Sequence, residues 1–176
     1  MWCVDVTKAG DVSLELDERP KPKIGEPAPP AGSAQGKIKP NPKSAVVWHY
    51  QRQDQNRNSK FESKECMHRT ISTPVVHEGL VYQPDFSGFL HCLDAKTGQV
   101  YWTYDMEAAM WGSPLIADGK LYLCDEDGDV AILETGKKIN VLETHNMGSA
   151  SYCSPVYANG TLYIMTRDKL YAIGKK

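Results

Sequence analysis

The chain has 176 residues, with 20 Lys and Arg against 22 Asp and Glu and a formal net charge of −2. That balance, without blocks of like charge, excludes nucleic acid and an anionic bilayer surface as partners, since both require a surplus of positive charge. No run approaches the ~18 consecutive apolar residues of a transmembrane segment, and Met1-Trp2-Cys3-Val4-Asp5 lacks the basic and apolar regions of a secretory signal.

In chain order, residues 1–16 open with a short strand at Trp2-Cys3-Val4-Asp5. Residues 17–43 hold seven of the 11 prolines and read as an extended, largely unstructured insertion. Residues 44–50 return to a strand, Ala45-Val46-Val47-Trp48-His49-Tyr50. Residues 51–66 are polar and contain a twelve-residue stretch from Asp54 to Glu65. In it Asp54, Asn56, Asn58, Glu62 and Glu65 place side-chain oxygens at positions one, three, five, nine and twelve, and Lys60 at position seven offers a backbone carbonyl. A hard cation such as calcium takes six to eight oxygens from such a curled loop. Ser59 stands where the sharp turn prefers Gly, and Arg57, Lys60 and Lys64 dilute the negative charge. The stretch is therefore either a weak calcium loop or a polar connector.

The remainder is repetitive. Thr73-Pro74-Val75-Val76-His77-Glu78-Gly79-Leu80-Val81-Tyr82 returns as Ser113-Pro114 through Gly119 to Tyr122, and again as Ser154-Pro155 through Gly160 to Tyr163. Proline, glycine and tyrosine recur together at one period of about 40 residues, the signature of a repeat architecture. Within each unit, β-branched and aromatic runs are joined by Glu78-Gly79, Asp118-Gly119 and Asn159-Gly160, the dipeptides of a tight hairpin. Ser87-Gly88 and Asp127-Gly128 mark a second turn; the acidic run Asp125-Glu126-Asp127-Gly128-Asp129 aligns with Asp85-Phe86-Ser87-Gly88 and is ordinary turn chemistry. After Asp94-Ala95-Lys96-Thr97-Gly98, Val100-Tyr101-Trp102-Thr103-Tyr104 closes the unit as a fourth strand.

Four strands in about 40 residues make a propeller blade. The expected fold is all-β: a partial β-propeller arc of about three four-stranded antiparallel blades, interrupted by the proline-rich insertion. Residues 67–105 and 106–145 are whole blades, and residues 146–176 an incomplete final one. Residues 1–16 and 44–50 supply the third and fourth strands of a first blade. An arc leaves its end faces open. The chain therefore reads as the C-terminal part of a larger propeller, or as a short chain that self-associates.

Asp94-Ala95-Lys96-Thr97-Gly98-Gln99-Val100-Tyr101-Trp102 resembles the tryptophan-docking repeat of the PQQ-like (pyrroloquinoline quinone repeat) β-propeller family, and more specifically its non-catalytic secreted bacterial type. The resemblance implies that Trp102, with Asp94 and Gly98, docks one blade on the next, and that Trp48 does so in the first blade. Glu134-Thr135-Gly136 keeps the acid and the glycine, with an aliphatic residue, Val141 or Leu142, expected at the tryptophan position. It also implies an extracytoplasmic location and a protein partner, or the missing blades, as the contact.

The family includes quinoprotein oxidoreductases, whose PQQ lies between a tryptophan and a vicinal disulfide beside calcium. This chain's five cysteines include no adjacent pair and no C-x-x-C, and those in apolar runs read as buried thiols. Trp111, just before an innermost strand, either stacks on a planar ligand or fills the central channel or a blade interface. The five histidines show no H-x-H or H-E-x-x-H spacing; His68 with Arg69 is the best candidate for a channel-facing polar pair. The expected function is a non-catalytic interaction or scaffold module without catalytic residues or a required cofactor. The alternative is a fragment of a PQQ-dependent quinoprotein oxidoreductase whose site lies in missing blades. For the polar stretch, calorimetric titration with millimolar calcium separates loop from connector: a binding heat lost in Asp54→Ala marks a site, and no heat marks a connector.

Overall fold

The computed structural model describes residues 1–10, 13, 15–17, 38–50 and 67–174. The candidate calcium ligands Asp54, Asn56, Asn58, Lys60, Glu62 and Glu65, and most of the proline-rich insertion, lie outside the described residues. Among the described residues there are fifteen strands and no helix. The chain divides into two units, Trp2–His49 and Met1 with Tyr50–Lys176.

In the first unit β1 (Trp2–Val4) pairs antiparallel with β4 (Val46–His49), Cys3 opposite Trp48, with a register shift between Cys3 and Val4. The ends of the insertion are themselves a strand pair: β2 (Glu15–Asp17) runs antiparallel to β3 (Ile38–Pro40). Proline density alone does not reveal this pairing, because Pro40 stands at the end of a two-stranded ribbon, where a missing N–H is tolerated.

The second unit carries the repeat. β5 (Val75–His77), β6 (Leu80–Pro84), β7 (Phe89–Asp94) and β8 (Val100–Asp105) form one antiparallel meander. β9 (Leu115–Ala117), β10 (Lys120–Cys124), β11 (Asp129–Glu134) and β12 (Val141–Asn146) form the next. β13 (Val156–Ala158), β14 (Thr161–Met165) and β15 (Leu170–Gly174) form a three-stranded third. These are the blades of a propeller arc. The first hairpin of each has positive φ at both turn residues: Glu78 47° and Gly79 76°, Asp118 51° and Gly119 67°, Asn159 51° and Gly160 75°. A turn of that hand matches the twist of the flanking strands.

The register of β7 on β8 repeats that of β1 on β4. Cys92 faces Trp102, and the shift falls between Cys92 and Leu93. In the second blade the equivalent shift lies between Ile132 and Leu133, so Ile132 faces Glu143. The tryptophan position is therefore Glu143, not the aliphatic Val141 or Leu142. The turn from Glu134 to Val141 is one residue longer than that from Asp94 to Val100, and all of β12 is exposed. A charged side chain suits that open face.

Adjacent blades bury one core. Leu80, Tyr82, Leu90, Cys92 and Trp102 of the first blade pack with Leu121, Leu123, Ala131 and Leu133 of the second, with Met106 and Met110 between. Cys124, Val130 and Ile164 form a smaller cluster toward the third. At the rim Gly136 is held twice: its N–H donates to the Tyr82 hydroxyl at 2.8 Å, and its carbonyl accepts from Trp102 Nε1 at 2.9 Å. At the inner edge β9 lies beside both β5 and β13. There the Thr73 N–H donates to Ser113 Oγ at 2.8 Å, and the Ser113 N–H to Ser154 Oγ at 2.8 Å. Blade approach is so close that a Cβ on Gly112 would stand 2.5 Å from the Cys153 carbonyl oxygen.

Burial pushes the Cys92 thiol up to about 12 and the Cys124 thiol up to about 11, so both are inert hydrophobes in the native state. Trp102→Ala should cost about 3–5 kcal/mol in urea unfolding, through the cavity and the lost Gly136 bond. Tyr82→Phe should cost about 1–3 kcal/mol by leaving the Gly136 N–H unpaired. Unchanged midpoints in both would show that the blades do not depend on this contact.

Candidate functional site

The connections that lead into β5, β9 and β13 and the turns after β6, β10 and β14 lie at the same end of the blades, because an antiparallel meander returns alternate turns to one edge. Equivalent positions in successive blades are read from matching backbone bonds. The Phe86 N–H donates to the Arg69 carbonyl at 2.9 Å, that of Glu126 to Ala109 at 3.0 Å, and that of Arg167 to Ala150 at 2.8 Å. Asp85, Asp125 and Thr166 consequently share one position at the start of the turn, all buried.

Asp85 gathers five donors on one carboxylate. Oδ1 accepts from the N–H groups of Ser87 (2.9 Å) and Phe89 (3.1 Å). Oδ2 accepts from His68 Nδ1 (2.8 Å), the His68 N–H (3.1 Å) and His91 Nε2 (2.9 Å). The other ring nitrogen of His91, Nδ1, lies 3.4 Å from the Tyr50 hydroxyl. Burial alone pushes the Asp85 carboxyl up, but the bonds from His91, His68 and the N–H groups of Phe89 and His68 hold it below its ordinary value.

Asp125 keeps the turn bonds, from the N–H of Asp127 at 3.0 Å and of Asp129 at 2.9 Å. Both histidines are gone: Ala108 stands at the position of His68 and Ala131 at that of His91. Its Oδ2 is buried and, among the described residues, has no hydrogen-bond partner. Burial, then the charges of Asp129 and Asp127, push this carboxyl up despite the two N–H bonds.

Beside the turns runs an exposed apolar stripe. Ile71, Trp111 and Tyr152 occupy one repeated position, two residues before the Thr73, Ser113 and Ser154 of the inner ladder, and are 63%, 37% and 46% exposed. The Trp111 ring meets Phe86 of the preceding blade edge-on at 4.6 Å and Tyr152 of the following blade at 5.6 Å. Its Nε1 donates to Glu126 Oε2 at 3.0 Å. Trp111 thus bridges three blades with part of its ring in solvent. The Arg69 guanidinium lies 4.6 Å above the Phe86 ring. Arg69, Ile71, Phe86 and Trp111 line a shallow depression.

The residues singled out by the repeat resemblance are placed as follows. Asp94 Oδ1 accepts from the N–H of Lys96 and Thr97, Oδ2 accepts from the Tyr101 hydroxyl, and Gly98 closes the turn with φ 72°. Those bonds, first from Thr97 and then from Tyr101, hold the Asp94 carboxyl below its ordinary value. Trp102 is buried at the Gly136 contact, and Trp48 lies opposite Cys3 on β4. His68 and Arg69 are neighbours but separate: His68 turns in to Asp85, whereas Arg69 turns out over Phe86. The partnership of Asp85 with His91 had no signal in spacing, although two histidines, His68 and His91, where the next unit has Ala108 and Ala131, would have marked it. Among the described residues no group of three or more His, Cys, Asp or Glu is arranged to hold a metal ion.

The repeated four-stranded blade, the paired hairpin turns and the rim tryptophan define a propeller of the PQQ-repeat class. The model of the family described as outer membrane protein assembly factor BamB matches residues 40–176, and the chain belongs to that family. A curated relative, outer membrane protein assembly factor BamB of Shewanella oneidensis, is 26% identical over 74 residues, 42% of this chain and 19% of that protein. Among solved structures, quinohemoprotein alcohol dehydrogenase ADHIIG of Pseudomonas putida HK5 superposes with a TM-score of 0.51 at 21% identity, over 57% of this chain and 17% of that one. BamB of Moraxella catarrhalis superposes with a TM-score of 0.50 at 12% identity, over 58% and 31%. The chain spans well under half the length of each, and the structural likenesses concern the fold.

The two aspartates predict opposite pH behaviour. The depressed Asp85 contributes stability above the unfolded carboxylate value of about 3.9, lost as pH falls through its lower folded value. The raised Asp125 opposes folding increasingly as pH climbs from about 3.9 through its higher folded value. At pH 7 Asp85→Ala should cost about 3–5 kcal/mol, while Asp125→Asn should be neutral or stabilising. Urea unfolding at pH 7 and pH 4 tests this; equal losses in both variants would contradict the asymmetry.

Proposed function

We propose that this chain is a non-catalytic propeller module that binds a protein partner at the end of the blades carrying Ile71, Trp111 and Tyr152. The observation that carries the reading is the stripe itself: large apolar side chains left 63%, 37% and 46% exposed at one repeated position. Contiguous exposed apolar side chains on a rigid scaffold are characteristic of interaction sites. Trp and Tyr there add contact area at low entropic cost. The hydroxyl ladder at Thr73, Ser113 and Ser154 holds the segment rigid. Membership of a family described by outer-membrane assembly supports an extracytoplasmic location and a partner engaged in that assembly.

The test is site-directed photo-crosslinking in the source cell. A benzoylphenylalanine at position 111 should yield a discrete adduct with an envelope protein, and one at position 143, on the outer strand, should not. Equal adducts at both positions, or PQQ-dependent dye reduction by the native protein, would overturn the reading. An adduct with a second copy of the chain would replace the partner with self-association.

A further inference from the structure

The depression lined by Arg69, Ile71, Phe86 and Trp111 has a chemistry that selects its occupant. Its volume of about 290 Å³ falls just under the ~300–1,000 Å³ of small-molecule sites. It is shallow and open, and suits one apolar side chain better than an enclosed cofactor. Its apolar lining is Ile71, Phe86 and Trp111.

The charges along the stripe are not equivalent. Position 86 and its counterparts in the next two blades carry Phe86, Glu126 and Arg167. Glu126 is engaged by Trp111 Nε1, and Arg167 Nε lies 3.5 Å from Asp168. Arg69 is exposed and, among the described residues, has no ion-pair partner. Its guanidinium lies over the Phe86 ring. Among the described residues no acceptor takes the guanidinium N–H groups, which leaves them for a carboxylate, bound in a bidentate manner by a fork of parallel donors. The unengaged charge at the apolar depression is therefore positive, and Glu126, held at Trp111 Nε1, repels a carboxylate placed beside it.

We infer that this depression is a docking site for an extended acidic peptide segment of a protein partner: an apolar side chain seats against Trp111 and Phe86, and a nearby carboxylate pairs with Arg69. The inference rests on the interaction reading above and names the chemistry of the partner at that same surface. Successive blade positions at Ile71 and Tyr152 continue the apolar contact along the segment.

The experiment uses the full chain and two labelled ten-residue Gly/Ser peptides, identical except that Phe is followed two residues later by Glu in one and by Lys in the other. Fluorescence anisotropy should show the Glu peptide binding roughly tenfold more tightly, the scale of a charge-assisted bidentate contact. Arg69→Glu should reverse the preference, and Trp111→Ala should weaken both peptides. Reversal is the decisive readout, because a variant that had merely unfolded would lose both peptides without exchanging them. Equal affinity for the two peptides, or no reversal, would overturn the assignment. If the position-111 crosslink still captures an envelope protein in that case, the interaction reading stands and only the acidic-segment assignment falls. If neither peptide binds and no crosslink forms, both fall.

Discussion

A single antiparallel sheet of four short strands cannot keep its apolar face dry alone, so everything in the repeat unit depends on how tightly one blade seats on the next. Here the seat is made at two places. At the rim, Tyr82 and Trp102 grip the N–H and the carbonyl of Gly136. At the inner edge, backbone N–H groups of one blade donate to the serine hydroxyls of its neighbour. Between them lies the shared core of Leu80, Tyr82, Leu90, Leu121, Leu123 and Leu133. Removing the rim contact would leave half-buried polar groups of Gly136, Tyr82 and Trp102 without partners, a penalty larger than the net value of the bond itself; the inner-edge bonds are exposed and act by aligning the strands.

That seating decides what the ends of the blades can do. Because the inner strands are held side by side, the residues just before them line up, and Ile71, Trp111 and Tyr152 become a continuous surface rather than isolated apolar residues. Trp111 belongs both to the interior and to the surface: its edges contact Phe86 and Tyr152 while part of the ring faces solvent. The same rigidity explains why the fold accommodates divergence at individual positions. Asp85 and Asp125 begin the same turn with the same two N–H bonds. One has two imidazoles and the other two alanines, so one carboxylate is satisfied and the other keeps an oxygen that, among the described residues, is unpaired.

Much of this was legible in the residues. Gly after Glu, Asp or Asn reports a backbone conformation that few other pairs adopt, and all three hairpins have it. The recurrence of proline, glycine and tyrosine reports blades, and Trp102 reports a large side chain seated on the next blade. Other features were not legible. The tryptophan position of the second blade is Glu143, because one extra residue in the turn from Glu134 to Val141 displaces the alignment, while the register shift is the same in both blades. No count along the chain shows which residues of that turn the strand pairing leaves out. His68 and Arg69 read as one polar pair, yet the segment leading into β5 turns one inward and the other outward.

By itself the sequence determined the all-β architecture, the hairpin turns and the repeated antiparallel meander, because these follow from backbone preferences and side-chain periodicity acting over a few residues. Only the tertiary structure decided that Asp85 closes on His68 and His91, that Gly136 is held by the preceding blade, and that Phe86 and Trp111 meet beneath Arg69. Those pairings join residues of different strands and blades. They exist only once the sheets are stacked at their packing distance, and the apolar burial that stacks them carries no directional information of its own.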